Sequence, residues 1–524
     1  MLVWLGFFAW ALCWQVQSGA WNSDFGGHAD EAAHVVTGLM VRDYLAGGFL
    51  EQWHPMRYAE AYYERFPKVA IGHYPPGFYV VEALFLLPYR QPGAVLVMMV
   101  CLAATVGWQT WRMAREFGLG EVGSVLIGTL VIWLPLVRTY TAIVMSDLLL
   151  VILILESTRA FGRFLATERW RDSWAFGMLA ALAILTKGSG LLLALVPPLA
   201  IVFSGRWQLL RSARLWVAPI PVLVLAFPWM LATRHITEEG MSTIPFVEYL
   251  PNAVAFYFHG FGSEIGWAVA FLLPVSAAFR LSRRRGDPGG QAKIRSAEAA
   301  LWSLAASLIL FYLAVPSGLD TRYLLPLLPA ILVLSVVGVS QLLPVRWRLW
   351  GVFPLVVVIL TETHRAVDKH YTGAGEVLMR VAQDVELAPD LDEKVLVVSD
   401  SLGEGAITAE AAFLGKGEAI EIRRGTKSLA KSDWLGRDYE ARFASLPELI
   451  AKLRQDSIRH VVVEAPPTHG RLSIPPHWSL SATWLEDASS AKVETGVVKL
   501  GSVVSERKFG KTSEFLIYRV ATGS

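Results

Sequence analysis

The sequence predicts a polytopic α-helical membrane protein with a C-terminal soluble α/β domain, and three observations carry that expectation. Of 524 residues, 54% are hydrophobic and only 18% are charged, below the roughly one quarter charged that is usual in soluble chains. Apolar runs long enough to cross a hydrocarbon core recur from Leu2 to about Thr361. Beyond that point hydropathy falls and short strand and helix patterns alternate. The expected boundaries are therefore 1–361 for the membrane domain and 362–524 for the soluble one.

The first apolar run, 2–20, lacks a basic leader and carries Trp4, Trp10 and Trp14, so it is read as a retained helix rather than a signal peptide. Residues 10–13 are a poor match to a lipoprotein cleavage site, which argues against lipidation. Cys13 and Cys101 both lie within apolar runs, so neither a disulfide framework nor a cysteine metal site is expected. A net charge of +2 gives no reason to expect a nucleic-acid partner. Its distribution is more informative.

Arginines cluster after alternate apolar runs, at 112/115, 159–171, 206–214, 280–295 and 346/348. The positive-inside rule makes these loops cytoplasmic. Spans near 2–20, 94–111, 122–138, 143–161, 173–187, 190–204, 215–232, 262–280, 298–315, 323–343 and 349–361 satisfy every cluster with a cytoplasmic N-terminus. Segment 75–89 breaks this parity if it crosses. About fifteen residues rise only ~22 Å, short of a ~30 Å core, so it is either re-entrant or a short span. The expected count stays between about 11 and 13. Loop 21–72, segments 234–260 and 316–322, and everything after Thr361 then lie outside.

In the tail, 394–399 and 459–464 read as strands, 446–454 as a helix and 514–520 as a further strand. Residues 398–405 form a strand-to-helix junction whose glycines match no complete phosphate-loop fingerprint, and they are read as a plain connection. No internal repeat is visible, which disfavours a transporter built from inverted halves.

Chemistry-bearing residues gather on the outer side. Loop 21–72 carries Asp30 and Glu31 between His28 and His34. A carboxylate beside the membrane surface could act as general base on an acceptor, bind a divalent metal with one of the histidines, or simply favour the start of the next helix. His73-Tyr74-Pro75-Pro76 follows, with Lys68 close by; the proline pair is also sound local structure for a helix start. Arg138, Asp147, Lys187 and the group Asp320-Thr321-Arg322 sit at the outer ends of their spans. Charges there are functional candidates, with snorkelling as the plain alternative. Arg322 opens Arg-Tyr-Leu-Leu-Pro, and its planar fork suits a phosphate as well as it suits a lipid headgroup.

In this order, Asp30-Glu31, His73-Tyr74-Pro75-Pro76, Thr186-Lys187-Gly188 and Arg322-Tyr323-Leu324-Leu325-Pro326 resemble the motifs of the integral-membrane GT-C glycosyltransferases related to protein O-mannosyltransferases and the lipid A aminoarabinose transferase. The resemblance covers most of 1–345. It implies a polyprenyl-phosphate sugar donor in the inner membrane, an extracytoplasmic acceptor left unspecified, and inversion at the anomeric carbon. It implies Asp30 as base, with Glu31 orienting the acceptor. Arg322, Lys187, Lys68 and His73 would hold the donor phosphate, with Tyr74, Tyr323, Arg138 and Asp147 as further substrate contacts. It implies no bound metal or cofactor. One departure stands out: the family's lysine before Pro-Pro is Tyr74 here, so His73 or Lys68 would have to take its place. Two other classes compete. A lipid-linked-glycan flippase would need a charged path through both leaflets, and a non-catalytic anchor would leave Asp30 and Arg322 without a role.

Overall fold

The computed structural model describes the chain except residues 240–243, 284–291, 341–342, 345–346, 386–392, 415–419, 432–438, 466–474, 491–495, 508–510 and 522–524. Helices dominate up to Glu362. They include α1 (Leu2–Gln17), α2 (Glu31–Asp43), α3 (Gly77–Leu86), α4 (Pro92–Glu116), α5 (Glu121–Trp133), α6 (Pro135–Ala142), α7 (Asp147–Thr167), α8 (Trp170–Thr186), α9 (Phe246–Ile265), α10 (Ala292–Ala314) and α11 (Leu327–Ser340). Proline opens α4 and α6, where its missing N–H costs nothing and its fixed φ suits the first turn. Pro135 also breaks the path of α5, so that α5 and α6 meet at 61°.

Among the described residues, three helices are long and apolar enough to span a membrane: α4, the segment Leu215–Ala232 and the Ile294–Ala314 portion of α10. Counting α5 with α6 as one bent span makes four. This is fewer than the eleven to thirteen expected, for local reasons. The run expected at 190–204 starts as a 3₁₀ helix, Gly188–Leu195, before an α-helix at Val196–Ser204. The 21-residue α7 is long enough but carries Asp147, Glu156, Arg159 and Arg163. Helix α3 has ten residues, about 15 Å of rise, which matches the short segment anticipated there.

Helix α3 is held by two close approaches. A side chain at Gly38 of α2 would collide with Glu82 of α3, and a Cβ at Gly77 would lie 2.8 Å from the carbonyl of Leu185 near the end of α8. Small residues at these points let α3 bridge α2 and the end of α8.

The C-terminal region holds α12 (Ser401–Leu414) and the strands β1 (Glu393–Val398), β2 (Ile420–Arg424), β3 (Ile458–Glu464), β4 (Val497–Arg507) and β5 (Lys511–Val520). They form one sheet in the order β2-β1-β3-β5-β4. β1 runs parallel to β2 and β3, whereas β5 is antiparallel to β3 and β4. Period-two alternation divides the strands between two cores. Val395, Val397, Val462, Phe515 and Ile517 join the large core that continues into the helices. Leu396, Val398, Val461, Val463 and Tyr518 face a smaller cluster with Leu449 and Trp478. One face of the sheet is thus packed toward the helical region, and α12 lies against α2.

Candidate active site

Asp30 precedes the first residue of α2, yet its side chain makes no capping bond to the helix. Its Oδ2 instead accepts a hydrogen bond from the Tyr74 hydroxyl at 2.9 Å and one from Arg322 Nη1 at 3.4 Å. His28 fixes the backbone here, its Nδ1 accepting the Asp30 N–H at 3.1 Å. His34, one turn along α2, packs at a tilt against the Tyr74 ring, centroids 4.7 Å apart, and meets the Tyr79 hydroxyl at 3.2 Å. The Pro-Pro segment thus delivers a tyrosine to the carboxylate, while Pro76 caps α3 behind it.

Arg322 lies in a 3₁₀ turn, Thr321–Leu324, that starts at Asp320. Asp320 Oδ1 accepts the Arg322 N–H at 2.9 Å, and its Oδ2 lies 3.2 Å from Nε. The guanidinium is therefore aimed by its own neighbour and is largely buried. Next to it, Tyr323 forms a platform: the Arg322 guanidinium carbon and Lys187 Nζ each lie 5.5 Å from its ring centroid. Tyr312 of α10 stacks on Tyr323 at 4.6 Å, the rings 11° from parallel. Lys187, in extended backbone at the end of α8, forms a buried ion pair with Asp147 Oδ1 at 2.7 Å.

Electrostatics set the protonation states. Burial pushes the Asp30 carboxyl up, but the Arg322 charge, the two histidines and the Tyr74 hydrogen bond outweigh it and hold the pKa down at about 2. His34, lowered by burial to about 4, is neutral at neutral pH. Burial, together with the Asp30 charge, raises the Tyr74 phenol, which remains a donor. Asp30 is thus an ionised acceptor held by two donors.

Six of the residues singled out from sequence come together: Asp30, Tyr74, Arg322, Tyr323, Lys187 and Asp147. Four do not. Glu31, expected to orient the acceptor, is fully buried. Its Oε1 pairs with Lys369 Nζ at 2.7 Å and accepts the Val144 N–H at 3.0 Å, while Oε2 accepts the Gly27 N–H at 2.8 Å. These bonds engage both carboxylate oxygens and tie the loop down. Arg138, expected to touch substrate, lies beside the edge-to-face pair of Trp14 and Trp133, 4.9 Å from each ring centroid, and donates to the Arg365 carbonyl at 2.7 Å. Cation–π contact with flanking tryptophans accounts for a charge at that depth. Lys68 and His73, expected at the donor phosphate, line a different cavity from which Arg322 and Lys187 are absent.

Lys369 and Tyr312 escaped the sequence reading, since neither belongs to a motif nor interrupts an apolar run in an unusual way. Among the described residues no three His, Cys, Asp or Glu side chains group as metal ligands. An apolar groove of about 500 Å³ lies between α9, α10 and α11, lined among others by Phe258, Phe261, Trp302, Leu308 and Ile331. Tyr312 and Leu324 belong to the same lining, so the groove ends beside the cationic platform.

The fold is similar to those of two GT-C glycosyltransferases of known structure. Across 99% of this chain and 98% of its own, ArnT from Cupriavidus metallidurans bound to undecaprenyl phosphate superimposes with a TM-score of 0.55 at 14% identity, and its apo state with 0.54. ArnT is the lipid A aminoarabinose transferase. The Archaeoglobus fulgidus oligosaccharyltransferase, in complex with zinc and sulfate, matches with a TM-score of 0.52 at 11% identity over 88% of this chain and 67% of that one. No family model and no curated protein sequence matches the chain.

Proposed function

We propose that this protein transfers a sugar from a polyprenyl-phosphate-linked donor to an acceptor on the extracytoplasmic side of the membrane, inverting the anomeric carbon. The observation that carries the reading is the apolar groove leading to Tyr312 and, through its stacked partner Tyr323, to Arg322 and Lys187. A polyprenyl phosphate has the same two-part chemistry, a long hydrocarbon joined to an anion. The likeness to a structure holding undecaprenyl phosphate supports the same assignment. On this reading residues 1–361 form the membrane domain, with the N-terminus cytoplasmic and loop 21–72 outside, and 362–524 form an extracytoplasmic domain.

In the reaction, an acceptor hydroxyl or amine attacks the anomeric carbon. The bond from that carbon to the phosphate oxygen breaks, the acceptor proton passes to Asp30, and polyprenyl phosphate departs with the negative charge. Arg322 offers the bidentate geometry that a phosphate oxygen pair needs, and Lys187 adds a point charge as the leaving group forms. Arg322 also restrains Asp30, which at a pKa of about 2 is a poor base. Donor phosphate competing for the guanidinium would loosen that restraint and raise the basicity of Asp30 when the substrate is in place. No added cofactor enters this scheme.

The test is to incubate purified protein with a panel of polyprenyl-phosphate sugars and follow release of polyprenyl phosphate. Donor turnover that disappears in Asp30→Asn supports the reading. Parental turnover in that variant removes Asp30 as the base.

A further inference from the structure

A further cavity, of about 790 Å³, opens where the segment around Lys68 meets the C-terminal sheet. Lys68 and His73 come to it from one side, Arg424 and Lys427 from the end of β2 and the turn after it, and Glu60, Tyr63 and Glu64 add the other polar groups to a wall that is otherwise mostly apolar. Lys68 is 8% exposed, and its Nζ donates to the carbonyls of Ala29 at 3.4 Å and Ser401 at 3.2 Å. An ammonium has three donors, so one remains. Among the described residues no carboxylate comes within ion-pair distance of it. Arg424 has its own partner, Glu404, at 2.8 Å. Burying a cation without a counter-ion costs several kcal/mol. The cost is visible in Lys68, whose pKa burial and the neighbouring Arg424 charge depress to about 7 despite the more distant charges of Glu404, Asp30 and Asp400. Room has nonetheless been kept for it: a Cβ at Gly405 of α12 would sit 3.2 Å from Lys68 Cε.

We propose that this cavity is a second anion site, separate from the Arg322 platform, in which Lys68 is the buried anchor for an oxyanion group of the acceptor. The anion is of phosphate type, carried on a soluble molecule or on a lipid headgroup. Assigning it to the acceptor rests on the transfer reading above. Lys68 bonds the carbonyl of the residue immediately before Asp30, so an acceptor held here is tethered beside the base, and the donor platform contributes nothing to the lining.

The experiment titrates the full-length protein with inorganic phosphate by calorimetry in phosphatidylcholine nanodiscs, and repeats it with phosphatidic acid in the bilayer. The Arg322→Ala background removes the guanidinium of the donor platform from the signal, leaving Lys187 in its ion pair with Asp147. Saturable phosphate binding in that background, weakened about tenfold or more by adding Lys68→Met and restored by Lys68→Arg, supports the site. Lys427 is exposed, so Lys427→Ala tests the same cavity without threatening the fold, and a severalfold loss is expected there. Phosphate binding seen in phosphatidylcholine but weakened or lost with phosphatidic acid in the bilayer assigns a headgroup, which competes for the site, and equal binding in both arms assigns a soluble anion. No saturable binding in either arm, or affinity indifferent to Lys68→Met and Lys427→Ala, overturns the proposal. Donor hydrolysis is measured separately on the parental protein and on Lys68→Met alone, with Arg322 intact. If Lys68→Met impairs it, Lys68 serves the donor and the proposal falls. If the parent hydrolyses no donor, the transfer reading fails, while the titration still decides whether an anion binds.

Discussion

Asp30 and Arg322, 292 residues apart in the chain, meet with Nη1 3.4 Å from Oδ2, and the carboxylate shares that oxygen with the Tyr74 hydroxyl. One oxygen of the candidate base is thus doubly occupied. A base held this way is ionised but weak until one donor leaves, and the donor best able to leave is the one a phosphate would attract. The expected behaviour of Asp30→Asn follows. The amide keeps the shape and can still accept from Tyr74, so folding and donor binding should persist. Proton acceptance is gone, and transfer should fall by roughly 10²–10⁴. Single-turnover transfer and donor affinity, measured side by side, check this; a loss confined to donor affinity would count against the assignment.

Much of this convergence was legible in the sequence. Ionisable residues at the ends of apolar runs are costly to keep there, and Asp147, Lys187 and Arg322 were visible for that reason, whereas Tyr74 came to notice only through the Pro-Pro segment it precedes. The tail strands were legible as well: the readings 394–399 and 459–464 correspond to β1 at Glu393–Val398 and β3 at Ile458–Glu464, because short β-branched runs leave little other choice. Glu31 and Arg138 were not. Both are charges in suggestive places, and only the fold reveals that each is consumed by a partner, Lys369 for one and a tryptophan pair for the other. The span count suffered similarly. Hydropathy registers the apolar run at 190–204 but not its 3₁₀ start at Gly188–Leu195.

Arg322→Ala should raise the donor KM and also reshape the pH profile. The guanidinium is the largest influence lowering the Asp30 pKa to about 2. Without it the carboxyl moves up toward its ordinary value, so the acid limb of kcat/KM should shift upward, activity being lost as pH falls through the new, higher pKa. Arg322→Lys should restore the charge but not the two-pronged geometry, giving partial recovery. An acid limb that stays in place in Arg322→Ala would show that the two residues do not interact in solution.

The Lys187–Asp147 pair separates stability from function. Both side chains are buried and 2.7 Å apart, so Lys187→Met alone strands a carboxylate and should destabilise the protein by about 3–5 kcal/mol. Adding Asp147→Leu removes the stranded charge and should recover most of that loss. Donor use should not recover, because the cation over Tyr323 is still missing. Thermal unfolding in detergent and donor KM on the two variants test this; recovery of both properties in the double variant would make the pair purely structural.

Lys369 and Glu31 present the opposite case, a pair whose importance lies in shape. Lys369 Nζ is 2.7 Å from Glu31 Oε1, with the two side chains 1% and 0% exposed. The same lysine donates its backbone N–H to the Ser18 carbonyl and accepts from Ser23 Oγ through its own. This segment, which follows the helix Arg348–Glu362, therefore clamps both ends of the loop that leads to Asp30. Lys369→Ala leaves a buried carboxylate uncompensated and should lower stability by about 3–5 kcal/mol. Glu31→Gln keeps the size and one acceptor, so it should cost less while leaving an unpaired ammonium. If Glu31 anchors rather than orients substrate, transfer per folded molecule in Glu31→Gln should stay within a few-fold of parental and acceptor KM should hardly move. A loss there as deep as in Asp30→Asn, with the melting temperature unchanged, would return Glu31 to the reaction itself.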